Sequence, residues 1–202
     1  MITNSLILVS VVVSILAFQN RELFVKLLFS PYITRANKEW HRFFTHAFVH
    51  ADWPHLLVNM YVLYSFGTAL ENYYFSALFD SKAKFYFILL YVGGILASSY
   101  PSFEKHKNDT GYSSVGASGA VSAIVFSFIL INPAQEMGLL LLPFRVPGFL
   151  FGILYLFYSW YMAKKQVDNI GHDAHFWGAV FGVAFTALLK PALITTFFER
   201  IF

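Results

Sequence analysis

The sequence predicts an all-α membrane protein, a bundle of six transmembrane helices with an embedded first loop. Three observations carry that expectation. The first is composition: of 202 residues, 57% are hydrophobic and only 12% are charged, against roughly 25% charged in soluble domains. Half the usual charge leaves too little polar surface to cover a soluble globule of this size. The second is length: six stretches are nearly free of Asp, Glu, Lys and Arg, each close to the roughly 20 residues that cross a bilayer. The third is that polar residues inside those stretches fall into clusters, around Ser118, around His175, and at His55 with Asn59.

In chain order the expected spans are residues 2–20, 53–71, 84–103, 114–132, 146–163 and 173–190, within a single domain of residues 1–202. The first lacks a basic leader and its apolar run is long for a secretory signal, so it reads as a retained helix. Residues 21–52 are too polar to span and too aromatic for a free loop. An interfacial, partly embedded segment fits them. Residues 104–113 read as a solvated loop. Between residues 132 and 147, Pro133, Pro143 and Pro147 surround an apolar run at 138–142 that is too short to cross.

Charge excludes several classes. The net charge of +3 forms no basic stripe, so no nucleic-acid partner is expected. The absence of cysteine excludes a thiol nucleophile, a disulfide framework and thiolate metal sites. Histidines at 41, 46, 50 and 55 lack the H-E-x-x-H pattern, so neither a metal nor a cofactor is expected. Six spans put both termini on one side, with five Lys and Arg there against nine opposite. Five of the nine lie in the long first linker, and the other four do not decide the orientation.

Polar groups within a span are costly without partners, so each cluster is a functional candidate. Ser118 lies between Gly116 and Gly119 near the start of the fourth span. A serine there often bonds back to its own helix, and small neighbours often mean close packing. A helix N-terminus also presents unpaired N–H groups and a positive dipole end, which favour an oxyanion. His175 follows Ala174, and Ala174, Gly178 and Gly182 recur every four residues, giving one small-residue face. A histidine beside such a seam is either structural or a base within reach of a serine on the next helix. Asp173 neighbours it in sequence but points elsewhere on a helix. Pro54 suits a first helical turn with Asp52 as cap. His55 and Asn59 then share a face, either as an interhelical hydrogen-bonding pair or as donors to an oxyanion.

Taken in order, H-x-x-x-N, G-x-S-G and A-H-x-x-G-x-x-x-G resemble the rhomboid family of intramembrane serine proteases. The stretch Glu39–Met60 and the positions of Gly67 and Glu71 are similar to the same family, and the likeness covers roughly residues 35–185. The resemblance implies a rhomboid-like bundle of the bacterial six-helix type, with Ser118 as nucleophile and His175 as general base. It implies His55, Asn59 and the Ser118 backbone N–H as the oxyanion hole, with Gly116, Gly119, Gly178 and Gly182 packing helices around the site. It further implies single-pass transmembrane proteins as substrates, the bacterial inner membrane as location, termini in the cytoplasm and a site opening outward. A non-catalytic rhomboid-like protein that binds transmembrane helices is the alternative, and a small transporter or channel is a third class. Two departures stand out. His41 separates Trp40 from Arg42, where the family commonly joins Trp to Arg. Ser122 stands where many members carry a tyrosine that stacks on the catalytic histidine, so another aromatic must hold His175.

Overall fold

The computed structural model describes residues 1–138, 145–165 and 170–202. The apolar run expected at 138–142 falls mostly outside the described residues. Eleven α-helices are described: α1 (Ile2–Gln19), α2 (Arg21–Leu27), α3 (Pro31–Ala36), α4 (Arg42–Thr45), α5 (Trp53–Val62), α6 (Phe75–Phe79), α7 (Ala83–His106), α8 (Ser118–Ile131), α9 (Gly148–Lys165), α10 (His172–Leu189) and α11 (Ala192–Glu199). A short antiparallel pair, Glu136–Gly138 with Arg145–Pro147, precedes α9.

Helix α8 is the centre. Every residue after Ser118 in it is buried, including Ser122 and Ser127. Helices α7 and α10 pack directly on it, through glycines that permit backbone contact. A Cβ on Gly94 of α7 would lie 3.1 Å from Ala120 Cα. A Cβ on Gly178 or Gly182 of α10 would lie 2.1 Å from the carbonyl oxygens of Gly119 and Ala123 respectively. Farther along the same seam Ser127 and Thr186 share a hydroxyl hydrogen bond of 2.7 Å. Buried hydroxyls stay satisfied this way where lipid offers no partner.

From Trp53 to His106 the chain is almost continuously helical, through π-type turns at Leu63–Gly67 and Leu70–Tyr74. It is not straight. Phe75 and Phe87 have ring centroids 6.4 Å apart, whereas twelve residues of straight helix would separate them by about 18 Å. The reversal falls at Asp80, whose φ is +49°, and it leaves α5 with α6 antiparallel to α7. By length and composition alone, two helical stretches can cross a membrane, Ile2–Gln19 and Trp53–His106, or three if α10 and α11, bent by 112°, count as one. The folded-back stretch is one of the two, and α8, with 14 residues, is a shorter apolar helix.

The fourth span starts at Ser118 instead of 114, because Ser114 pairs with Phe29 and Gly116 adopts a φ of +112°. The loop expected at 104–113 is helical through His106.

Glu71, the single carboxylate between residues 53 and 79, caps α1. It accepts from the backbone N–H of Ile2 at 2.7 Å and of Thr3 at 2.8 Å, and from the Thr3 hydroxyl at 2.7 Å. Gly67 leaves room for Thr3, which a Cβ there would approach at 3.0 Å. An anion at a helix N-terminus satisfies the unpaired N–H groups and the dipole together.

Candidate active site

The starts of α5, α8 and α10 and the ends of α7 and α9 gather at one end of the bundle. Ser118 is the first residue of α8 and half-buried, so its hydroxyl is not locked in the core. Next to it, Gly119 is where three helices meet. A Cβ on Gly119 would strike Ser98 of α7 at 2.2 Å and approach the Ala174 carbonyl of α10 at 3.5 Å. Half-buried His175 follows Ala174 on α10. Asp173 accepts a 3.0 Å bond from Lys105 of α7.

His55 sits in the first turn of α5, which Asp52 caps by accepting the His55 backbone N–H at 2.8 Å. The imidazole lies against Gly116: a Cβ there would meet His55 Nε2 at 2.8 Å. Its Nδ1 accepts from Ala51 N–H at 3.4 Å, which assigns the proton to Nε2, on the Gly116 side. Asn59 is buried and donates one amide hydrogen to the His55 carbonyl at 2.9 Å. That leaves one N–H and the amide oxygen for other partners.

The loop leading to Ser118 is pinned from the first linker. Gly116 N–H donates to the His46 carbonyl at 2.9 Å, and Ala117 N–H donates to His50 Nε2 at 3.4 Å. An accepting Nε2 puts the His50 proton on Nδ1, which donates to Ser14 Oγ at 3.0 Å, and Ser14 in turn donates to the Phe48 carbonyl at 3.1 Å. Arg42 holds the linker in place with Nη1 donating to the carbonyls of Val25 at 2.8 Å and Leu28 at 2.7 Å. The inserted His41 does not disturb this. Trp40 swings out to rest on Phe43 and Phe103 at 6.3 and 5.9 Å, while Arg42 stays buried.

A family model, the Rhomboid domain, matches residues 37–192. The chain belongs to the rhomboid family. It is 29% identical over 142 residues to presenilin-associated rhomboid-like protein A, mitochondrial, of Danio rerio, covering 68% of this chain. It is 28% identical over 156 residues to the rhomboid protease GluP of Bacillus subtilis, covering 77% of this chain. It is 27% identical over 176 residues to the rhomboid-like protein 11, chloroplastic, of Arabidopsis thaliana, covering 80% of this chain. The matches span 34%, 28% and 56% of those relatives' own lengths. A rhomboid domain makes this an integral membrane protein.

Sequence reasoning gave no place at this site to Ser14, His50 or Ser98: Ser98 packs on Gly119, His50 accepts from Ala117, and Ser14 holds the His50 ring. It asked for an aromatic beside His175 without finding it. That aromatic is Tyr155 of α9, stacked on the imidazole with centroids 6.2 Å apart.

Proposed function

We propose that this rhomboid is an intramembrane serine endopeptidase that cleaves single-pass transmembrane proteins near the membrane surface with a Ser118–His175 dyad. One observation carries the reading. The backbones of α8 and α10 touch at Gly119 and Gly178, immediately beside Ser118 and one turn from His175. His175 accepts the Ser118 proton as Oγ attacks a substrate carbonyl, and later returns it to the leaving amine. The carbonyl oxygen becomes an oxyanion held by Ser118 N–H, His55 Nε2–H and the second Asn59 N–H, donors fixed before substrate arrives. Water then hydrolyses the acyl-enzyme with His175 as base again.

In this reading the whole chain is one domain, with α1, α5–α6, α7, α8, α9 and α10 as six spans. Both termini are cytoplasmic, and the site opens to the outer side of a bacterial inner membrane. Helix α8 supports a submerged site. Its 14 residues rise about 21 Å, short of a hydrocarbon core about 30 Å thick, so Ser118 lies below the surface in a cavity that water must fill. A substrate helix hides its carbonyls in its own hydrogen bonds, so the segment that reaches Ser118 must unwind there.

The test is cleavage of a model single-span substrate in detergent, alongside labelling by a fluorophosphonate. Ser118→Ala and His175→Ala should each abolish turnover with unfolding unchanged, and the double variant should be no worse than either, as for residues acting as one unit. Wild-type turnover in purified Ser118→Ala would sink the proposal.

A further inference from the structure

Tyr155 lies on α9, a helix half of whose residues are exposed and whose buried positions are the small Gly148, Gly152 and Ser159. Its ring nonetheless reaches inward. It stacks on His175 with 23° between planes and centroids 6.2 Å apart, within the range of favourable offset stacking. Its hydroxyl is 2.7 Å from Ser122 Oγ, one turn beyond Ser118 on α8. Phe126 and Phe151 bound the same phenol at 5.5 and 5.9 Å. One side chain therefore joins α8, α9 and α10 at the imidazole.

The plane of the His175 ring is constrained by the rings that pack on it. His172 meets that ring edge-on, with centroids 5.9 Å apart and 77° between planes, which limits it from a second direction. We propose that Tyr155 is a positioning residue for the base: its phenol holds the His175 plane toward Ser118, and Ser122 holds the phenol. The inference rests on the dyad reading above. It gives Ser122 a role that its place on a buried helix does not suggest, since its hydroxyl adds a directional bond to the packing of Tyr155 on Phe126 of α8. It also makes the base's orientation depend on a third helix besides the two that carry the dyad.

The experiment compares wild type with Ser118→Ala, Tyr155→Leu, Tyr155→Phe, Ser122→Ala and the Tyr155→Phe/Ser122→Ala double variant. Steady-state cleavage of a model single-span substrate and thermal unfolding are measured in one detergent. Tyr155→Leu should lower kcat by about a hundredfold, the cost of a roughly 1 Å misplacement at a reacting centre, with KM within about twofold of wild type. Tyr155→Phe keeps the stack and should recover most of that loss. Ser122→Ala should match Tyr155→Phe, and the double variant should be no worse than either, because all three remove one bond. Wild-type kcat in a folded Tyr155→Leu protein, or a loss confined to KM, would overturn the inference. If Tyr155→Leu does not fold, the cycle decides: unchanged kcat throughout, or losses that multiply in the double variant, would overturn it. An active Ser118→Ala protein would instead sink the dyad, whereas an inactive Ser118→Ala beside a fully active Tyr155→Leu would sink this inference alone.

Discussion

The seam between α8 and α10 and the linker between α1 and α5 both position Ser118, and they do it by opposite means. In the seam, side chains have been removed: at Gly178 and Gly182 backbone meets backbone, with the carbonyl oxygens of Gly119 and Ala123 where Cβ atoms would be, and Gly119 makes room for the Ser98 side chain. In the linker, polar side chains have been added: Arg42, Thr45, His46 and His50 each bond a carbonyl, hydroxyl or amide from another part of the chain. The seam fixes how near two helices stand. The linker fixes how the non-helical residues before Ser118 are shaped. A steric device tolerates no added atom, whereas a hydrogen-bonded one tolerates no missing partner.

The largest effect should come from adding bulk to the seam. Gly178→Leu places a side chain against the Gly119 backbone and should cost at least about 3 kcal/mol, the upper part of the range for overpacking. Gly182→Leu meets the Ala123 carbonyl equally closely and should lose similar stability, but it lies a turn farther from His175. Probe labelling per folded molecule should therefore fall more for Gly178→Leu. A stable, fully labelled Gly178→Leu protein would mean that this face of α10 does not press on α8.

Removing a partner from the linker comes next. Arg42→Ala removes the donor to the half-buried carbonyl of Val25 and the buried carbonyl of Leu28, and each hydrogen bond to a charged group contributes about 1.5–3 kcal/mol. Together the two bonds contribute about 3–6 kcal/mol, so thermal unfolding should drop by roughly 6–24 °C at the size of this chain. Labelling of Ser118 should weaken as well, because the linker shapes the loop before it. An unfolding temperature equal to wild type would show that the linker is held elsewhere.

These two regions also differ in how far the sequence reveals them. A repeat of Ala174, Gly178 and Gly182 every four residues can be read directly, because the helix period turns it into a face. The close contact of α10 with α8 follows from that face and the glycines beside Ser118. The linker has no such period. His50 reaches Ala117 across 67 positions of sequence, and Ser14 reaches His50 from a helix that reads as plain lipid-facing apolar chain. Tyr155 was hidden for the same reason, since a tyrosine among the aromatics of α9 carries no sign of which one turns inward. The reversal at Asp80 was legible only as a gap between two spans, because a positive φ at an aspartate leaves no mark in composition.

A smaller effect tests the seam's own polar contact. Ser127→Ala removes one side of the 2.7 Å bond to Thr186 and should cost about 1 kcal/mol. Turnover should be unchanged, since the pair lies more than two helical turns from Ser118. A loss of activity at unchanged stability would mean that the far end of the seam transmits to the site.

The smallest effect separates charge from hydrogen bonding in the linker. Glu39 meets Arg42 Nε at 2.6 Å and also accepts from Asn37 at 3.1 Å. The Asn37 bond first, and the Arg42 bond next, hold its carboxyl below the usual carboxylate range. A lowered value in the folded state contributes stability that is present above the usual carboxylate pKa and is lost as pH falls through the lowered one. Glu39 is 30% exposed at its side chain, so water screens the pair, and such pairs contribute roughly 0.2–1 kcal/mol. Glu39→Gln should therefore lower the unfolding temperature at neutral pH by no more than about 4 °C. The gap from wild type should close in acid, once Glu39 is protonated in both folded and unfolded chains. Arg42→Ala should be clearly worse than Glu39→Gln, because the carbonyls of Val25 and Leu28 lose their donor only in the former. Equal losses would make the ion pair, and not these carbonyls, the anchor of the linker.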